Sequence, residues 1–280
     1  MADIDFFTFI AKNSLPFAKF LRQTGERTKN GKHNIHWKCV LSQRAKKIPD
    51  GFECVTENKN TSTNPSMRHA HAIHDAIRNA TSDYIIISDA DIAIIYKNWD
   101  EEIIQILDEG HSCFGTPNST NEYGETDFPN VPFFAFKKEI IQKVNLDFKP
   151  ILDKKNIIVR VKAEKKKIMG RGVGKLVFFE TGCKLSSEFK KAGLESKCLC
   201  LKPVRQESNE TKIPLNFEQR VKYINKKKNN KRICHNHLIE YHYNEKLFLT
   251  HMGGAGNGNL ILQHEWETKI ENYLKSVLCL

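Results

Sequence analysis

The chain has 280 residues, of which 40% are hydrophobic and 28% charged, and its 44 Lys and Arg against 33 Asp and Glu give a formal charge of +11. That composition is too apolar for a disordered chain and too polar for a membrane bundle, and no apolar run nears the roughly 18 residues needed to cross a bilayer. The charge favours polyanions, nucleotides or anionic surfaces without choosing among them.

Residues 1–13 carry Asp3 and Asp5 and no basic region ahead of the apolar stretch, which argues against a secretory signal. Eight Cys are too few for a disulfide scaffold, so a reduced, cytoplasmic setting is expected. Phe6 to Ile10 reads as a buried strand. Pro16 suits the first turn of a helix that shares Phe17, Phe20 and Leu21 on one face. Gly25 to Asn34 reads as a polar link. Ile35 to Leu41 and Phe52 to Thr56 read as the next strands, with the turn Pro49-Asp50-Gly51 between them. Ser66 to Asn79 has the helical period, carried by Met67, Ala70, Ile73, His74 and Ile77.

Asp83 to Ser88 is the clearest strand, apolar enough to be covered on both faces. A helix follows over Trp99 to Asp108, with Asp100, Glu101 and Glu102 in its first turn, where helix-end amides favour negative charge. Short strands separated by helices indicate a mostly parallel sheet. Later elements are a strand at Val131 to Phe136, a short helix at Lys138 to Val144 and a strand at Lys175 to Phe179. A helix at Leu185 to Ala192 is stopped by Gly193. Lys197 to Leu201 and Leu247 to Thr250 read as strands, and Leu262 to Val277 as a closing helix. No internal repeat or clean linker divides the chain. It reads as one domain over 1–280, with a ligand-binding half at 1–136 and a decorated half at 137–280.

The sharpest chemical feature is Ile85-Ile-Ile-Ser-Asp89-Ala-Asp91. Open sheets bind ligands beyond the carboxyl ends of their strands. Two carboxylates there can reach one hard divalent ion, which in turn would screen a diphosphate. His251 follows the strand Phe248-Leu-Thr250 and precedes Met252-Gly-Gly254. A neutral imidazole is a good ligand for Mn²⁺, and the glycines permit close backbone approach.

The stretch from Asp5 to Phe136 resembles the nucleotide-sugar-binding half of glycosyltransferases with the A-type fold. The likeness lies in Ser66-Met-Arg-His-Ala-His-Ala-Ile-His-Asp-Ala-Ile and in Thr81-Ser-Asp-Tyr-Ile-Ile-Ile-Ser-Asp-Ala-Asp. The helix lacks the Gly often found near its start in the largest inverting family, and residues 110–280 hold only short islands of similarity. The compact form and the Lys- and Asn-rich composition also resemble such enzymes from large DNA viruses, for which the location would be host cytoplasm.

The resemblance implies an α/β, Rossmann-like A-type fold with a central mostly parallel sheet. It implies Mn²⁺ or Mg²⁺ as cofactor, a nucleotide-sugar donor that is by default a UDP-sugar, and a glycan acceptor on an oligosaccharide or glycoprotein. Asp91 would be the main metal ligand, Asp89 would hold metal, ribose or sugar, and His251 would be the third ligand. Arg68 is the candidate for the diphosphate, since guanidinium offers several donors to phosphoryl oxygens. Asn13, Ser14, Ser42 and Glu57 follow strands and are candidates for base or ribose contacts. His69 and His71 are weaker candidates beside Arg68, and their plainer reading is helix surface or core packing.

An inverting transfer needs a carboxylate to take the acceptor's proton. Glu180, ending Leu176-Val-Phe-Phe-Glu, is the first candidate and Asp127 the second. The bland reading of Glu180 is a cap on the next helix. Trp266, Tyr123, Phe128 and Phe133 are candidate aromatic walls for a sugar.

Three other classes remain in view. A nucleic-acid-binding protein or nuclease would use the seven Lys and Arg between Arg220 and Arg232, but no zinc finger, helix-turn-helix or stacking module accompanies them, and no nucleic acid is expected as partner. A structural zinc would need Cys198, Cys200, Cys234 and His237 to gather. A sugar-nucleotide pyrophosphorylase would want a glycine-rich basic loop after the first strand, which is not there.

Overall fold

The structure, a computed structural model, describes residues 1–45, 47–62, 64–117, 128–150, 181–203, 237–253 and 260–278. Its strands are β1 (Asp3–Ile10), β2 (Asn34–Ser42), β3 (Glu53–Asn58), β4 (Tyr84–Ser88), β5 (Ile92–Ile94), β6 (Cys113–Pro117), β7 (Pro129–Lys137), β8 (Ser196–Cys198), β9 (Cys200–Pro203), β10 (His237–Tyr243) and β11 (Lys246–Gly253). Its helices are α1 (Leu15–Thr28), α2 (Pro65–Arg78), α3 (Trp99–Asp108), α4 (Ile140–Lys143), α5 (Leu185–Lys191) and α6 (Leu260–Leu278). No described helix is long and apolar enough to cross a membrane.

The main sheet has seven strands in the order β3-β2-β1-β4-β7-β6-β8. The first four are parallel neighbours, β7 runs antiparallel to β4 and β6, and β8 is parallel to β6. The expected mixed α/β architecture with a mostly parallel central sheet is therefore what forms. A second, antiparallel sheet has the order β5-β11-β10-β9.

Central strands covered on both faces must be apolar at every position. In β4, Ile86 joins one core with Phe6, Trp99, Phe133 and Phe248, while Ile85 and Ile87 join the other with Phe7, Ile73 and Phe134. All three isoleucines are fully buried, each worth about 1.5–3 kcal/mol of apolar transfer. On α2 the buried residues are Ala70, Ala72, Ile73 and Ala76 rather than Met67 and Ile77. Small side chains there let the helix lie close over β2 and β3.

Two local expectations are corrected. Gly25 does not open a link, because α1 continues to Thr28. A Cβ at Gly25 would stand 2.7 Å from Trp37 Cη2, and Trp99 Nε1 donates to the Gly25 carbonyl at 2.9 Å. The glycine serves close packing of two indoles against the helix, at the cost of about 1 kcal/mol in helix propensity. Lys197 to Leu201 is not one strand: β8 pairs with β6 in the main sheet and β9 with β10 in the second. Leu199, between them, is buried.

The amino end of β1 is tied down by a buried charge. Asp5 is fully buried, with Lys38 Nζ 2.8 Å from its Oδ1. Thr81 N, Ser82 N and Ser82 Oγ also donate to its carboxylate. Burial would raise the Asp5 pKa, but Lys38 and these donors outweigh it and hold the group below its ordinary value. The network joins β1, β2 and the approach to β4, fixing the strands whose other ends form the site.

Candidate active site

After β1 the chain turns to one side, through α1 to β2 and then β3, before crossing back through α2 to β4 on the other side. Neighbouring strands whose connections diverge leave a crevice at their carboxyl ends. A cleft of about 620 Å³ lies there. Phe9 to Ser14 line it from the end of β1, Ser42 to Arg44 from β2, and Asn58 and Asn60 to Ser62 after β3. Pro65, Arg68, His69 and Ala72 line it from α2, and Asp89 to Asp91 from the end of β4.

The loop into α2 is built from its own side chains. Asn58 Oδ1 accepts from Asn60 N, Asn60 Oδ1 from Ser62 N, and Ser62 Oγ from Asn64 N. Asn64 then caps α2 by accepting from Met67 N. Short polar side chains that bond the backbone two residues on favour this kind of turn. Asn58 Nδ2 donates to the Arg68 carbonyl at 2.8 Å, and one Arg68 guanidinium nitrogen donates to the Ser62 carbonyl at 2.6 Å. The loop and the first turn of α2 are thus fastened together beside the cleft.

Asp89 and Asp91 are held by their backbones. Asp89 N donates to the Pro132 carbonyl of β7 at 2.8 Å, and the Asp91 carbonyl accepts from Met252 N at 2.9 Å. β5 starts at the residue after Asp91 and pairs antiparallel with β11, with Ile92 opposite His251. That pairing brings a histidine 160 positions away in sequence to the aspartates. His251 Nε2 lies 3.3 Å from Asp91 Oδ1. One potential ligand atom from each of Asp89, Asp91 and His251 lies within 4.8 Å of the others, and among the described residues these form the one such group.

The residues fit a divalent cation. Two carboxylates and an imidazole make an O,O,N donor set suited to Mn²⁺. Two buried ring nitrogens beside them, His251 Nδ1 and His69 Nε2, have no hydrogen-bond partner. His69 Nε2 comes within 3.1 Å of Asp89 Oδ1 without the alignment of a hydrogen bond.

Burial would lower the pKa of both histidines, but the nearby aspartates outweigh it: Asp89 raises His69 and Asp91 raises His251. Burial would raise Asp89, and the charge of His69, with His251 behind it, lowers it instead. The four side chains stand close together in a site only partly open to water, with side-chain exposures of 15–29%.

The structure brings Asn13, Ser14, Ser42, Arg68, Asp89 and Asp91 to one cleft. Ser42 Oγ is buried and unpartnered, while Ser14 Oγ is occupied by Ala11 N at 2.7 Å. Glu57 is exposed and does not line the cleft; strand alternation turns the next residue, Asn58, inward instead. Glu180, Asp127 and Tyr123 lie outside the described residues, as do Cys234 and Gly254.

Three aromatic residues read as sugar walls are core instead. Phe128, Phe133 and Trp266 are at most 5% exposed. Trp266 is spent on packing and on an Nε1 bond to Thr250 Oγ1 at 3.0 Å. The sequence reading missed Asn58, Asn60, Ser62, Gln43 and Arg44 as cleft residues. The alternation Asn58-Lys-Asn60-Thr-Ser62-Thr-Asn64 was the available signal for the first three.

Fold and site together define a protein with a mostly parallel sheet, in which Asp89, Asp91 and His251 could hold a metal ion at the mouth of a switch-point cleft. No family model matches the chain, and no curated protein sequence matches it. Among solved structures it is similar to a mannosyltransferase from Pyrobaculum calidifontis in complex with GDP-Man and Mn²⁺, at 14% identity and TM-score 0.37 over 50% of this chain and 46% of that one. It is also similar to a mutant Drosophila β-1,4-galactosyltransferase 7 in complex with manganese, UDP-Gal and xylobiose, at 12% identity and TM-score 0.40 over 71% of this chain and 65% of that one.

Proposed function

We propose that the protein is a metal-dependent glycosyltransferase of the A-type fold. It would move a sugar from a nucleoside diphosphate donor, by default a UDP-sugar, to a glycan hydroxyl with inversion. The observation that carries this reading is the gathering of Asp89, Asp91 and His251 within 4.8 Å at the carboxyl edge of a parallel sheet, opening on a cleft of about 620 Å³. That volume lies within the usual range for a bound small molecule or cofactor.

Asp89, Asp91 and His251 would hold Mn²⁺ or Mg²⁺, which supplies charge neutralisation for the leaving diphosphate. Arg68, at the start of α2, adds fixed positive charge on the same side, and a helix N-terminus favours anions. Asn13, Ser14 and Ser42 line the region assigned to base and ribose, and the unpartnered Ser42 Oγ is available to a ligand.

Glu180 is assigned as the base that takes the proton from the acceptor hydroxyl, with Asp127 as second candidate. The residue after Glu180 supports this assignment. Thr181 Oγ1 donates to the Ser66 carbonyl at 3.2 Å, and Asn130 Nδ2 donates to the Thr181 carbonyl at 2.8 Å. Thr181 is therefore moored at the start of α2, next in sequence to the cleft residue Pro65. Residues 1–136 would bind the donor and 137–280 would shape the acceptor side.

The test is a panel of nucleotide sugars assayed for Mn²⁺-dependent binding and for release of nucleoside diphosphate. A saturable, Mn²⁺-dependent response to at least one donor is expected. Absence of binding to every donor at saturating Mn²⁺ refutes the reading.

A further inference from the structure

We propose that His69 is a positioning residue of the cation site. In its Nε2–H form it donates to Asp89 Oδ1 and so presents the other carboxylate oxygen to the cation. This rests on the proposed Asp89-Asp91-His251 site.

The argument begins with what an aspartate needs at that position. Asp89 follows the last residue of β4, and its backbone is fixed by the bond to Pro132. That backbone bond does not itself set the direction of the carboxylate, and the negative charge of Asp91 two residues on would push it away. A side-chain donor beside it would hold the carboxylate in the site.

His69 is placed to do so. It lies in the first turns of α2, whose start is fastened by the Asn64 cap and by the Asn58 bond to the Arg68 carbonyl. Its ring meets Phe9 of β1 edge to face, with centroids 4.9 Å apart and planes at 78°. Helix and strand therefore fix the imidazole from two sides, and its Nε2 arrives 3.1 Å from Asp89 Oδ1. That nitrogen is buried and has no aligned partner elsewhere. A buried polar atom left unpaired is costly, and a small rotation of the Asp89 carboxylate pairs it.

His69 stands outside the set of donor atoms that lie within 4.8 Å of one another. It is therefore assigned to hold a ligand, not to be one. Groups that orient metal ligands typically contribute roughly 10–100-fold to metal affinity.

The test measures Mn²⁺ binding to the whole protein by electron paramagnetic resonance, with no sugar donor present. Wild type, H69L, H69Q and D91N are compared, and melting without Mn²⁺ verifies that each variant is folded. H69L is expected to bind Mn²⁺ roughly 10–100-fold more weakly. H69Q keeps an N–H within reach and is expected to recover most of that loss. Pulsed resonance on the wild type is expected to show one coupled imidazole, from His251.

H69L binding as tightly as wild type overturns the proposal, as does H69Q binding no better than H69L. Two coupled imidazoles also overturn it, since His69 would then be a ligand. Each of those results leaves the Asp89-Asp91-His251 site standing. Absence of Mn²⁺ binding by wild type, or undiminished binding by D91N, refutes that site and this inference with it.

Discussion

Removing one carboxylate from the proposed cation site should separate metal binding from fold stability. Ligand atoms of Asp89 and Asp91 lie within 4.8 Å of each other. Two unit negative charges at that distance repel by about 3.5 kcal/mol at an effective dielectric near 20. A dication placed between them converts this repulsion into attraction, so Mn²⁺ should bind the folded chain and not the unfolded one. At a concentration a hundred times its Kd, such a ligand stabilises the folded state by about 2.7 kcal/mol. For a chain of this size, at roughly 2 °C per kcal/mol, Mn²⁺ should raise the Tm by about 5 °C.

D91N removes a charged ligand while nearly conserving side-chain shape, so its Mn²⁺-induced shift should fall towards zero. Mg²⁺ at equal concentration should shift the wild type less than Mn²⁺, because the imidazole of His251 suits the transition metal better. Differential scanning fluorimetry over a Mn²⁺ series reads all three. An equal shift in D91N and wild type would refute the reasoning, because the ion would then be bound elsewhere.

Three further outcomes test other parts of the structure. D5N leaves Lys38 buried without its ionic partner and should cost about 3–5 kcal/mol, read from urea unfolding. Because the folded-state pKa of Asp5 is lowered, its contribution is fully present above the unfolded value near 3.8. It is lost as pH falls through the folded value, so the wild-type advantage over D5N should shrink only on that acid limb. G25A gains about 1 kcal/mol in helix propensity but places a methyl 2.7 Å from Trp37. Overpacking at about 1–3 kcal/mol should win, and a raised Tm would show that the helix is not held so close. E180Q should retain Mn²⁺-dependent donor binding and lose transfer, and equal loss of both would count against Glu180 as the base.

The clearest part of the sequence was the segment where local and tertiary demands coincide. Tyr84 to Ser88 is apolar because both faces of β4 are covered, and the polar residues after it fall where a parallel strand must end. α3 was equally plain, because its acidic first turn and isoleucine face agree on the same bounds. β5 and β6 were not legible. Ile92-Ala-Ile94 is too short to show a period, and its strand character comes from β11. Cys113 to Pro117 contains Gly115 and Pro117, both poor strand formers. A Cβ at Gly115 would clash with the Phe133 carbonyl, so the glycine marks a close approach of β7 that only the folded sheet reveals.

The same limit applied to the site. The two aspartates and His251 could each be singled out, but nothing local showed that β5 and β11 would pair. The role proposed for His69 depends on the crossing of α2 over β1, which leaves no trace in spacing along the chain. Direction was hidden too: β7 has the apolar composition of the parallel strands β1 and β4 yet runs against β4, because alternation of side chains does not encode strand polarity.

The one-residue gap between the aspartates follows from where they sit. Asp89 ends a strand of the main sheet and Asp91 precedes a strand of the second, so the tripeptide bridges the two. Ala90 is 6% exposed and belongs to the apolar core beneath, while the carboxylates on either side line the cleft. Residues 90 and 91 form a turn between β4 and β5, and the small Ala90 side chain lets that turn lie close on the core. The anchors at Pro132 and Met252 then fix each aspartate to a different sheet. A cation held by Asp89, Asp91 and His251 would accordingly join the two sheets as well as bind a diphosphate. Cation binding at this proposed site would thereby be coupled to the docking of β11 against the β5 segment.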